Sequence, residues 1–211
     1  MSLWTTSVIS LLLLLIGESQ VQQAIGDKKP AAIEETSNDI PNRLIFAKKR
    51  DWYLTQAYID VFKMLSNQNQ CSDFYGGPRA ATIVLNDFVA HVKPEPLLRE
   101  ISFQMTGKRR YIHNTSTGIV YRLFDRTTVN TNGSFYQRRI DPMRNVPADV
   151  GNFLPGSRRA RALILLHELA HLIEGENGAW LIPDDGFNVE QSRMNTLRIQ
   201  KVCHAQLHAL K

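Results

Sequence analysis

The stretch Ala162-Leu163-Ile164-Leu165-Leu166-His167-Glu168-Leu169-Ala170-His171-Leu172-Ile173 holds one charged residue, Glu168, among two histidines and otherwise apolar side chains. Ser157 upstream can cap a helix, and Gly175 downstream can take the left-handed conformation that ends one after Glu174. The segment between them therefore reads as a helix buried on most sides. Four residues turn such a helix by about 400°, so the imidazoles of His167 and His171 leave the same face one turn apart. That spacing presents two nitrogens to a single zinc ion at bond lengths of about 2.0–2.1 Å. Glu168 points beside the metal position, too far round to ligate but placed to take a proton from activated water. The apolar flanks keep the surroundings dry, which strengthens the field of an ion there. Two satisfied core histidines would not explain a carboxylate in the middle of this helix.

With those residues in hand, the segment resembles the zincin metallopeptidases, whose shared signature is HExxH on an active-site helix. The matching positions are His167, Glu168 and His171. The resemblance is strict over the motif and its flanks, and loose over the strand-then-helix order from 118 to 205. It implies a zincin-like α+β domain with a zinc ion as cofactor and Glu168 as general base and later proton donor. It also implies a peptide or protein substrate lying along an edge strand above the metal, with Thr127 to Asn130 as that strand. The metzincin-type third histidine would fall six residues after His171, where Asn177 stands, and Glu174 occupies that pattern's glycine, so the chain departs from that clan. A catalytic zinc still needs a third protein ligand. Asp184 and Asp185, in the turn Pro183-Asp184-Asp185-Gly186, would resemble the Asp-ligand zincins, without their usual surrounding residues. Glu190, near the start of the next helix, would resemble the thermolysin-like group. The turn pair is favoured, but ordinary turn chemistry explains the two aspartates and the helix dipole explains Glu190. The series His167, Asp185, Asn195, Cys203 is also similar to small secreted bacterial proteins of unknown function with a HELxH segment.

Working outward, the pattern upstream is first helical and then extended. Trp52, Leu54, Ala57, Tyr58, Val61, Phe62 and Leu65 recur at three- and four-residue spacing after Asp51, which predicts a helix ending near 67–69. A second helix is expected from Pro78 to Val92, stopped by Pro94 and Pro96, and a short one over 97–105. Beyond Gly107, Tyr111–His113, Gly118–Phe124 and Thr127–Val129 are rich in β-branched and aromatic residues separated by turn residues, which predicts a small three-stranded antiparallel sheet. Asn130 to Ser134 reads as a turn, 140–156 and 178–187 as loops, and 189–210 as the last helix. His113, Tyr111 and Tyr121 are candidate transition-state donors from the sheet. His204 and His208 share a helix face, but with no acid between them they read as ordinary histidines.

The 211-residue chain suits one domain. Val8 to Ile16 is apolar except Ser10, too short to span a bilayer but matched to the apolar core of an export signal ending near Ser19, although no basic residue precedes it. The expected organisation is a signal peptide over 1–19, a poorly ordered polar arm over 20–42 and a single catalytic domain over 43–211. A secreted or extracytoplasmic location follows, with no stable membrane span. In that setting Cys71 and Cys203 are expected to form one disulfide, and Asn114 and Asn132 head glycosylation-type sequons. The net charge of +5 is spread over short clusters such as Lys108-Arg109-Arg110, without a basic stripe, so no nucleic acid partner is expected. Two other readings stand beside the hydrolase. One is a secreted metal-binding or structural module without turnover. The other is a basic module that binds anionic polymers.

Overall fold

The computed structural model describes residues 51–98, 101–138 and 147–211, so the expected signal peptide and polar arm lie outside the described residues. The element order is α1 (Trp52–Leu65), α2 (Gln70–Phe74), α3 (Pro78–Ala90), β1 (Val92–Glu95), β2 (Phe103–His113), β3 (Val120–Asn130), a 3-10 turn (Ala148–Val150), α4 (Arg158–Ala170), α5 (Val189–Val202) and α6 (His204–Ala209). The architecture is α+β. Among the described residues no helix is long and apolar enough to cross a membrane.

Local chemistry explains the helix starts. The Asp51 side chain accepts the Leu54 amide, and the Ser157 hydroxyl accepts the Ala160 amide. Asn69 and Ser72 cap α2 reciprocally. Pro78 opens α3, where a missing N–H costs nothing. Helix α4 is the centre of the molecule: every residue from Ala160 to His167 is buried. Leu54, Tyr58, Val61 and Leu65 of α1, Val84 and Phe88 of α3, Leu123 and Val129 of β3 and Ile199 of α5 complete the core around it. Truncating one of its fully buried leucines, Leu163 for example, would cost about 2–5 kcal/mol in lost burial and cavity.

Helix α4 stops at Ala170, with His171 as its cap, rather than running to Glu174. The reason is the sheet. The Arg122 amide bonds to the Leu172 carbonyl at 2.8 Å, and the Glu174 amide to the Val120 carbonyl at 2.9 Å, so 172–174 lies as a short extension beside the start of β3. Pairing with β3 gives these groups better partners than a further helical turn. Gly175 keeps a negative φ and closes a turn through Ala179 instead of a left-handed cap.

The sheet is three-stranded but mixed, in the order β1-β3-β2. β2 and β3 are antiparallel, with a register break between Thr106 and Arg109 where Gly107 adopts φ 88°. The third strand is Val92–Glu95, parallel to β3, and Thr127–Val129 continues β3 rather than forming a separate strand. Thr127 to Asn130 therefore lies in the central strand, paired on both sides, and is not an edge. The expected helix over 97–105 is replaced in part by β2, which begins at Phe103; Met105 pairs with Thr127. The last helix is broken at Cys203, which joins Cys71 in a disulfide linking the end of α5 to α2.

Candidate metal centre

His167 and His171 leave the C-terminal end of α4, one from its last turn and one from its cap. Both are buried. Asp185 reaches them from the turn between 183 and 188, which is pinned from two directions. The Asn188 amide bonds to the Asp185 carbonyl at 2.7 Å, and the buried Asn195 amide nitrogen on α5 donates to the Pro183 carbonyl at 2.9 Å. Gln191 in turn donates to the Asn195 side-chain oxygen at 3.0 Å.

The three side chains converge. Nε2 of His171 lies 3.0 Å from Nε2 of His167, Oδ2 of Asp185 lies 3.0 Å from Nε2 of His167, and it lies 3.5 Å from Nε2 of His171. Lone pairs meeting at these distances need a cation among them, either a proton or a metal ion. Tetrahedral zinc with bonds of about 2.0–2.2 Å separates its ligand atoms by about 3.3–3.5 Å, so this triangle fits one face of such a site after small relaxation. The hydroxyl of Thr196 on α5 lies 2.9 Å from Nδ1 of His167. As acceptor it holds the proton on Nδ1 and frees Nε2 for a metal. Among the described residues this is the one group of three or more His, Cys, Asp or Glu side chains able to share an ion.

The electrostatics follow the geometry. Burial opposes the charge on Asp185, but hydrogen bonds from His167 and His171 and their positive charge outweigh it and hold the carboxyl well below its usual range. For His167 burial works against protonation, yet the hydrogen bond it donates to Asp185 and the charges of Glu168, Asp185 and Asp149 raise its affinity for a proton. His171 moves the other way, lowered by burial and by His167. Glu168 is partly buried, and desolvation pushes its carboxyl up to about 8, with Asp185 and Asp149 adding to the rise and His167 opposing it. A carboxyl poised there can exchange a proton near neutral pH.

The remaining candidates fall elsewhere. Asp184 is half exposed and pairs with the Arg122 guanidinium. Its carboxylate comes no closer than 3.9 Å to Nδ1 of His171, on the side of the ring facing away from the triangle. Glu190 is exposed in the first turn of α5. The Tyr121 hydroxyl donates to Asp87, Tyr111 is exposed and stacks against Trp180 with centroids 6.2 Å apart, and His113 is exposed at the end of β2. His204 and His208 stack on each other, centroids 4.2 Å apart, on the exposed side of α6. Three participants escaped the sequence reading. Arg122 is a fully buried cation in β3, Thr196 an ordinary-looking helix residue, and Asp149 a carboxylate on the 3-10 turn near enough to influence His167 and Glu168. Burial alone pushes the Asp149 carboxyl up. Only an arginine amid the β-rich run at 119–124 gave any signal in advance.

No protein-family model matches the chain, and neither a curated protein nor a solved structure matches it.

Proposed function

We propose that the chain is a secreted zinc-dependent hydrolase of the zincin type, most simply a peptidase. The observation that carries this reading is the 3.0, 3.0 and 3.5 Å triangle of His167, His171 and Asp185 beside the raised carboxyl of Glu168. His167, His171 and Asp185 would hold the ion. When bound, zinc supplies Lewis acidity, polarising a carbonyl and easing the ionisation of water. Glu168 then accepts the proton of the attacking water and returns it to the departing amine. Thr196 keeps His167 in the ligating tautomer. The buried aliphatic walls of α4 limit the dielectric around these groups. The disulfide between Cys71 and Cys203 supports an oxidising compartment, in keeping with export.

A metal-binding module without turnover is the second reading. The near-complete burial of both histidines favours it, with Asp149 as a further carboxylate close by. Metal analysis and cleavage of a peptide library by wild type and Glu168→Gln separate the two. The hydrolase reading expects about one zinc in each protein and cleavage in wild type alone. Metal retention with no cleavage by either leaves the binding module. Equal cleavage by both removes Glu168 from the chemistry.

A further inference from the structure

Asp184, the neighbour of the proposed ligand Asp185, has a different set of partners. Its two carboxylate oxygens face the two terminal nitrogens of Arg122 as a fork, with Nη1 to Oδ2 at 3.3 Å and Nη2 paired to Oδ1. Nε of the same guanidinium donates to the His171 backbone carbonyl at 3.0 Å. The guanidinium lies 4.1 Å from the centre of the Trp180 ring. Arg122 is fully buried although Asp184 is half exposed, and its backbone amide also holds the Leu172 carbonyl. One side chain thus grips the end of the helix that bears the histidines and the turn that bears Asp185. Nδ1 of His171 is buried with no hydrogen-bond partner, and the Asp184 carboxylate stands 3.9 Å from it.

We infer that Asp184 and Arg122 form a positioning clamp that sets metal affinity by holding Asp185 and His171 at their mutual distance, rather than contributing a ligand. The inference rests on the proposed metal site and adds two residues to it. Physical reasons favour the clamp over ligation. A planar fork meeting a carboxylate fixes direction as well as distance, which a lysine would not do. The aromatic face of Trp180, 4.1 Å from the guanidinium, further stabilises the buried cation. Asp184 also stands on the Nδ1 side of His171, where an outer carboxylate orients a metal-binding imidazole. Moving the 183–188 turn by a fraction of an ångström would open the triangle without unfolding anything, because the turn is anchored separately by Asn195.

The test measures the affinity of metal-free protein for Zn2+ by chelator competition, with the Co2+ absorption spectrum as a geometric readout. Asp184→Asn keeps the size of the side chain and removes the charge. It is expected to bind Zn2+ about 10–100-fold more weakly and to alter the Co2+ spectrum, and to lower the thermal midpoint of the metal-free protein as well, because the buried Arg122 loses its counter-charge. Arg122→Lys, which keeps the charge and loses the fork, should weaken binding in the same direction. Glu95→Gln removes the exposed ion pair with Arg126 and should leave the affinity at the wild-type value. Wild-type affinity in Asp184→Asn overturns the clamp while leaving the metal site intact. Failure of wild type itself to bind Zn2+ overturns both. A fall in thermal midpoint with unchanged affinity would make the pair merely structural and also overturns the inference.

Discussion

The hydroxyl of Thr196 lies 2.9 Å from Nδ1 of His167, joining α5 to α4 across 29 positions of sequence at the one nitrogen the proposed ion cannot use. Both residues are buried, so the bond is shielded from water, and with the hydroxyl as acceptor it keeps the proton on Nδ1. Thr196→Val keeps the shape and removes the acceptor. Zinc affinity should fall about tenfold or more, while Thr196→Ser should retain it. Chelator competition measures the difference, and equal affinity in all three proteins would remove Thr196 from the site.

A second long-range contact sets the start of α4. Asp60 on α1 is buried to 1% exposure, and Arg158 answers it with two bonds of 2.7 and 2.6 Å, with Gln56 donating a third at 3.0 Å. Removing the arginine leaves a buried carboxylate with only an amide partner. Arg158→Ala should therefore lower unfolding stability by about 2–4 kcal/mol, less than a fully enclosed pair because Arg158 itself is partly exposed. Asp60→Asn together with Arg158→Ala should recover part of the loss. A denaturant titration of wild type and the two variants reads both effects.

How much of this was written locally in the chain varies with the reach of the interaction. Helices α1 and α3 are legible because Asp51 and Pro78 start them and their apolar residues recur at helical spacing. The histidine pair is legible because one helical turn fixes its geometry without help from the rest of the fold. The end of α4 is not, since Glu174 leaves the helix for a hydrogen bond to Val120, which no local propensity encodes. The same holds for β1, whose Pro94 stands where a strand interior is disfavoured. It is an edge strand of four residues, the setting in which a proline is tolerated. The favoured turn pair at 184 and 185 carries identical side chains, and only the tertiary partners separate them, Arg122 for one and the two imidazoles for the other. Asp149 looks like any loop acid until folding buries it.

The disulfide offers a prediction independent of the metal. Cys71 and Cys203 are 132 positions apart, so their bond constrains most of the described chain when unfolded. In the chain-entropy picture such a loop contributes up to about 5 kcal/mol, and measured losses in comparable cases run about 2–5. Cys71→Ser with Cys203→Ser, or reduction under mild denaturation, should lower the thermal midpoint by many degrees. Calorimetry with and without reductant checks this. An unchanged midpoint would mean that core packing around α4 already dominates and the bridge adds nothing.

Glu168 should make the metal-free protein less stable as pH rises. Its folded-state carboxyl titrates near 8, mainly because burial opposes the charge, against 4.5 for the ordinary side chain. A group whose folded value is raised favours folding fully below the unfolded value, and that contribution is lost as pH climbs through the folded value. The window is therefore about pH 4.5 to 8. Glu168→Gln cannot ionise, so it should match wild type near pH 5 and exceed it by about 1 kcal/mol or more at pH 9. Asp149 is common to both proteins, whereas His167 loses in the variant the Glu168 charge that helps it hold a proton, so the difference between the curves reports Glu168 together with that coupling. Denaturant unfolding of the two metal-free proteins at pH 5, 7 and 9 provides the comparison. A constant difference across that range would mean that Glu168 is solvated in the folded protein, and the argument for a poised proton acceptor beside the triangle would lose its basis.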